Sequence, residues 1–362
     1  MITDVRIKGF KRFSDHVFDM RSLTILAGIN GAGKTSVIHS LLLTAEAWRR
    51  DDGVVELNGP YGLELGEFSD VLNHETTSDF SIVIGSDHDG GRLEDAWVFG
   101  EGDTGLYAKV DLPRPQSVFN GQPRSFQYLQ AERLGPRVTQ GSAALPSTML
   151  EVGCSGQFTA QVLDTLGGKL SVEEERRFIT DDSIPPLLKS QTEAWLSLIT
   201  RPVQIDTETF PGTSVTAIKF RTSDIWLKPT NMGFGVTYAL PIILAGLTAV
   251  KGGVLVVENP EAHLHPAGQS HMGVFLAIIA ASGVQVVVET HSDHILNGIR
   301  LAIGAHKILK HTQSIVHYFD GDESAPDSLE FTEVGGVSSW PAGFFDQYHL
   351  DIAALTRIRR PR

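Results

Sequence analysis

The first residues, Ile2-Thr3-Asp4-Val5-Arg6-Ile7, carry the apolar-polar alternation of a half-buried strand. Residues 9–13 turn it, and residues 16–20 are expected to pair back as a hairpin. Residues 23–27 are a short apolar run, as a buried strand would be. Residues 36–50 follow as a helix with Val37, Ile38, Leu41, Leu42 and Ala45 on one side. Residues 54–112 read as strands separated by turns at 58–60, 87–91 and 100–103, with 80–85 and 96–99 in an antiparallel sheet. Residues 126–130 form a further strand. Residues 153–195 are expected to be mostly helical, broken at Gly167-Gly168 and Pro185-Pro186. No heptad run persists there, which excludes long coiled-coil arms.

The last third alternates buried strands with helices. Strands are expected at 215–220, 254–258, 284–288, 315–319 and 328–332. Helices are expected at 236–250 with Pro241 in the first turn, at 269–281, and after residue 293. This alternation predicts an α/β fold with a mainly parallel sheet. The antiparallel stretch and a short helical insertion complete it. The expected divisions are 1–50, an antiparallel 51–138, an insertion at 139–225, a second lobe at 226–312 and a terminal 313–362.

Composition refines this picture little. The 362 residues are 41% hydrophobic and 20% charged, ordinary globular values with ample length for a large core. One cysteine, Cys154, precludes an internal disulfide, and a reducing cytoplasm is the expected location. Charged residues or glycine punctuate every apolar run short of membrane-spanning length. The net charge of −13 excludes an overall basic field for nucleic acid. DNA contact would need local patches at Lys11-Arg12, Arg49-Arg50, or the tail arginines 357, 359, 360 and 362.

The chemistry concentrates at Gly28-Ile29-Asn30-Gly31-Ala32-Gly33-Lys34-Thr35, followed by Ser36. It satisfies G-x-x-x-x-G-K-[ST] between a predicted strand and a predicted helix, the context of a phosphate-binding loop. The glycines let backbone N–H groups close around phosphates, and the helix start adds a positive dipole end. Lys34 would reach the β- and γ-phosphates, and the Thr35 hydroxyl would hold Mg²⁺. Glu258 ends a buried strand, as a carboxylate on the Mg²⁺ side requires. His291 ends the neighbouring one, where it can meet a γ-phosphate or an attacking water. The segment 131–137 presents Arg133 and Arg137 either to a phosphate or to a surface ion pair.

The order of these segments resembles the ABC-type ATPases of the RecF, SMC and OLD group. It runs from the phosphate loop through Asn231-Met232-Gly233-Phe234-Gly235 to Glu258-Asn259-Pro260-Glu261-Ala262-His263-Leu264-His265-Pro266 and Glu289-Thr290-His291-Ser292. The opening 7–13 is similar to that group's first strand and turn. More narrowly, residues 131–137, 152–156 and 340–347 (Trp-Pro-Ala-Gly-Phe-Phe-Asp-Gln) resemble a compact bacterial AAA-labelled family with a C-terminal domain of unknown function. The resemblance implies a nucleotide loop at Gly28, Asn30, Gly31, Gly33, Lys34, Thr35 and Ser36, joined by Arg12 and Gln130. It implies Mg²⁺ at Thr35 and Glu258, and a switch histidine at His291. It also implies that Asn231, Gly233 and Gly235 contact ATP on a second subunit, so that a homodimer closes around ATP.

Two departures stand out. Gly233 replaces the usual signature serine, and Asn259 replaces the catalytic glutamate, whose amide cannot accept a proton. Glu261 or Glu289 is expected to substitute, Glu261 preferred because it shares a loop with Glu258. The resemblance implies a role in anti-phage defence or DNA repair with a partner nuclease or effector. A module with little turnover is the alternative. Asp320-Gly321-Asp322 has the D-x-D form of a nuclease metal site but reads better as a hairpin turn.

Overall fold

The apolar run beginning at Leu23 forms a strand covered on both faces, as inside a parallel sheet. The computed structural model describes all residues except 51, 77, 89–90, 112–118, 120, 179–180, 182, 322–324 and 359–362. The elements in order are β1 (Ile2–Phe10), β2 (Phe13–Asp19), β3 (Leu23–Gly28), α1 (Lys34–Arg50), β4 (Val54–Glu56), α2 (Phe68–Val71), β5 (Phe80–His88), β6 (Gly91–Glu101), β7 (Tyr107–Asp111), β8 (Phe126–Leu129) and β9 (Thr139–Gly141). Then come α3 (Thr159–Leu166), α4 (Leu188–Ile199), β10 (Gln204–Thr209), β11 (Val215–Thr222), β12 (Ile225–Leu227), α5 (Phe234–Thr248), β13 (Val254–Glu258), α6 (Pro266–Ala281), β14 (Gln285–Thr290), α7 (Asp293–Gly304), β15 (Ser314–Phe319), β16 (Asp327–Glu330) and α8 (Gln347–Ile358).

Among the described residues the central sheet has the order β16-β15-β3-β14-β13-β8. Its strands are parallel except β16, which returns antiparallel to β15. An antiparallel sheet runs β2-β1-β5-β6-β7-β4, and a small one runs β10-β11-β12 with β9 also paired to β11. The parallel strands read as continuous apolar runs because each divides its side chains between two cores. Leu255 and Val257 of β13 join the core under α3 to α7. Val254 and Val256 join the core that α1 shares with the antiparallel sheet. The sheet crosses the expected divisions, since β8 and β15 both lie in it with β3.

Two expectations need correction. Residues 153–195 are less helical than the pattern suggested. Between α3 and α4 the described residues form turns, one 3-10 turn at Glu174–Arg176 and a bridge of Ser171 to Leu187, with Val172 N–H donating to the Pro186 carbonyl and Leu188 N–H to that of Leu170. Pro185 and Pro186 lack the N–H a helix would use. Helix α5 starts at Phe234, so Pro241 lies inside it rather than in its first turn. Gly156 abuts the Pro241 ring closely enough to exclude a side chain there.

Candidate nucleotide site

The loop between β3 and α1 turns on Gly28, Gly31 and Gly33, with φ of 130°, 77° and 99°, conformations that disfavour other residues. A Cβ at Gly28 would collide with the Phe319 carbonyl of β15, and Ile29 N–H donates to that same oxygen at 3.0 Å. At Gly31 the space outside is open. Lys34 is buried, and its Nζ donates to the carbonyls of Gly28 (3.1 Å) and Ile29 (2.6 Å). Burial lowers its pKa. Arg12 lies along the loop, its guanidinium donating to the Ala32 carbonyl and its side chain filling the space beside Gly33.

Parallel register sets Glu258 beside Glu289, and Glu289 beside Leu26 of β3. Thr35 Oγ1 donates to the Glu289 carboxylate at 3.0 and 3.2 Å, and Lys34 Nζ lies 3.9 Å from it. Burial, then the Glu258 charge, pushes the Glu289 carboxyl up to about 7. Glu258 accepts from the Tyr128 hydroxyl at 2.9 Å and the Ala131 N–H at 3.0 Å, and burial raises its pKa as well. The His291 imidazole meets the Gly28 carbonyl, and burial and Lys34 lower its pKa.

Glu261, expected to face the phosphates, is engaged elsewhere. It accepts from the Thr290 hydroxyl at 2.7 Å and the His291 N–H at 2.8 Å. Asn259 takes a left-handed backbone (φ 43°), and its buried Oδ1 has no hydrogen-bond partner among the described residues.

Arg133 forms no surface ion pair among the described residues. It is buried and donates to the carbonyls of Gln130 (2.9 Å), Glu258 (2.7 Å) and Asn259 (2.7 Å), with Tyr238 of α5 under its guanidinium. Burial lowers its pKa to about 10. Gln130 donates to the Glu132 carbonyl at 2.9 Å. Asn231 is exposed just before α5, Gly233 is its N-cap and opens onto empty space, and Gly235 packs against the His263 carbonyl.

The basic patches considered for DNA are tied internally. Lys11 Nζ meets His39 Nδ1 at 2.8 Å, Arg49 binds Glu46, and Arg50 binds Asp52 and Glu56. Arg357 is exposed on α8, while 359, 360 and 362 lie outside the described residues. Asp320 follows β15 in the connection to antiparallel β16, and Asp322 lies outside the described residues. Sequence reasoning missed Tyr128 and Gln269, which fix the carboxylate loops. The Tyr128 contact spans 130 positions and leaves no local signal.

A glycine loop at the carboxyl end of a parallel sheet, an adjoining antiparallel lobe and the strand order β3-β14-β13 define an ABC-type P-loop ATPase fold. Residues 172–296 match a family described as an AAA ATPase domain. Residues 309–355, which include 340–347, match a family described as a protein of unknown function (DUF3696). The curated proteins give no match. Among solved structures, an SMC head bound to the C-winged helix domain of ScpA is similar at a TM-score of 0.57 and 12% identity, over 91% of this chain and 97% of that one. An SMC head with an extended coiled coil, bound to the C-terminal domain of ScpA derived from Pyrococcus furiosus, is similar at 0.51 and 11%, over 99% of both chains. Among the described residues no helix is long and apolar enough to cross a membrane.

Proposed function

We propose that this protein is an Mg²⁺-dependent ATPase whose two copies close head to tail around ATP and gate a DNA-directed process of defence or repair. The observation that carries this reading is the convergence of Lys34, Thr35, Glu289 and His291 on one glycine loop. The donor set suits a triphosphate with Mg²⁺: a buried cation, open space at Gly31, and a hydroxyl beside carboxylates. Thr35 would hold Mg²⁺ with Glu258 on the same side, and the ion would neutralise phosphate charge.

Lys34 exchanges two loop carbonyls for phosphate oxygens. Glu289 rather than Glu261 takes the proton of the attacking water, because its proton affinity lies near neutrality and its carboxylate faces the loop. Asn231, Gly233 and Gly235 contact the partner copy's ATP through backbone at the start of α5. A partner nuclease or effector supplies the DNA contact, in keeping with the net charge of −13 and with Arg49 and Arg50 being engaged by Glu46, Asp52 and Glu56.

Asn259 favours a second reading, a nucleotide-gated module with little turnover. Titration with labelled ATP and steady-state phosphate release test both. The expected outcome is binding and turnover, with affinity lost by about 10²-fold or more in Lys34→Ala. Tight binding without phosphate release supports the second reading, and unchanged affinity in Lys34→Ala overturns the site.

A further inference from the structure

We infer that Glu261 is a positioning residue that fixes His291 against the phosphate loop by clasping the start of the β14–α7 connection; this rests on the nucleotide site proposed above. Both carboxylate oxygens are committed: Oε2 accepts from the Thr290 hydroxyl and Oε1 from the His291 N–H, at 2.7 and 2.8 Å. A carboxylate that takes one donor of the same loop on each oxygen orients that loop. Glutamine offers one acceptor oxygen and an NH₂ that would oppose the second donor.

The turn that carries Glu261 is itself pinned. Asn259 N–H donates to the Glu289 carbonyl at 2.8 Å, and Leu264 N–H to the Glu261 carbonyl at 3.0 Å. Asn259 and His263 hold left-handed backbones, φ 43° and 61°, a conformation that persists only where surrounding bonds enforce it. Arg133 supplies such bonds through the Glu258 and Asn259 carbonyls. Gln269 adds another link, donating to the Leu264 carbonyl at 2.9 Å and accepting from Ser292 Oγ at 2.5 Å. Ser292 in turn caps α7 by accepting from the His294 and Ile295 amides. The turn after β13 and the loop after β14 therefore form one unit, and it ends at His291, which follows Thr290 in register with Ala27 at the start of the phosphate loop.

Amide hydrogen exchange on the full chain without nucleotide reads the clasp directly. Glu261→Gln should speed exchange in residues 290–292 by about tenfold or more, and the milder Thr290→Val by about threefold. In steady-state hydrolysis, Glu261→Gln and His291→Ala should each lower kcat by about tenfold with KM little changed. The double variant should be no slower than His291→Ala, because both changes remove one function. Unchanged exchange in both Glu261→Gln and Thr290→Val overturns the inference. So does a Glu261→Gln loss that multiplies with that of His291→Ala, which would mean Glu261 acts on the water itself. Failure of the wild-type chain to bind ATP would sink the proposed function instead, and the exchange arm would still decide the clasp.

Discussion

Glu289→Gln isolates the carboxyl on which the proposed chemistry turns. Its pKa is pushed up to about 7 from an ordinary 4.5, by burial first and the Glu258 charge second, against the pull of Lys34 and Thr35. That rise corresponds to about 3 kcal/mol opposing ionisation inside the fold. Between pH 4.5 and 7 the folded chain holds a proton that the unfolded chain has released. Stability therefore falls as pH rises through this window. Glutamine cannot ionise and escapes the loss. The pull of Lys34, 3.9 Å away, is already contained in that net shift, so an advantage of about 3 kcal/mol at pH 8 is expected. At pH 5 the advantage should vanish. Urea denaturation of nucleotide-free protein from pH 5 to 8 measures the difference. ATP binding should survive while turnover drops by about 10²-fold or more. A Gln variant less stable than wild type at pH 8, or equally offset at every pH, would refute the account of this carboxyl.

Two further outcomes follow from the site. Gly233→Glu places a side chain in open space, so monomeric ATP binding should persist while ATP-driven dimerisation is lost. Light scattering that still shows the dimer would contradict the trans contact. Arg133→Met strands the carbonyls of Gln130, Glu258 and Asn259 and should cost about 3 kcal/mol or more in chemical denaturation; a cost below about 1 kcal/mol would show that these bonds hold little.

Much of this arrangement was legible because its signals are local. The runs 254–257 and 23–27 are apolar apart from Thr24, and that marks strands buried on both faces. The glycine loop carries its own backbone requirement in sequence. The irregular path between α3 and α4 was misread because side-chain pattern there favoured helix while the Pro186 and Leu170 carbonyls bond across the segment. The role of Arg133 was illegible for a different reason. An arginine near a Gly-Pro turn looks solvated, and nothing nearby announces that the carbonyls it binds arrive 125 and 126 positions later. Glu261 and Glu289 both end up beside the β14 end, but only cross-strand register decides which faces Thr35.

Strand β15 has a bearing on how the chain can be divided. Its last residue, Phe319, lies against Gly28 and holds the Ile29 amide, so the wall of the phosphate loop is furnished from more than 280 positions away. That wall belongs to the span matched to a family of unknown function, not to the span matched as an ATPase. A truncation after residue 312 would keep every nucleotide motif in the text of the gene and strip the loop of its neighbour. Tail and loop are thus not modules that can be traded between proteins; they are two halves of a single casting.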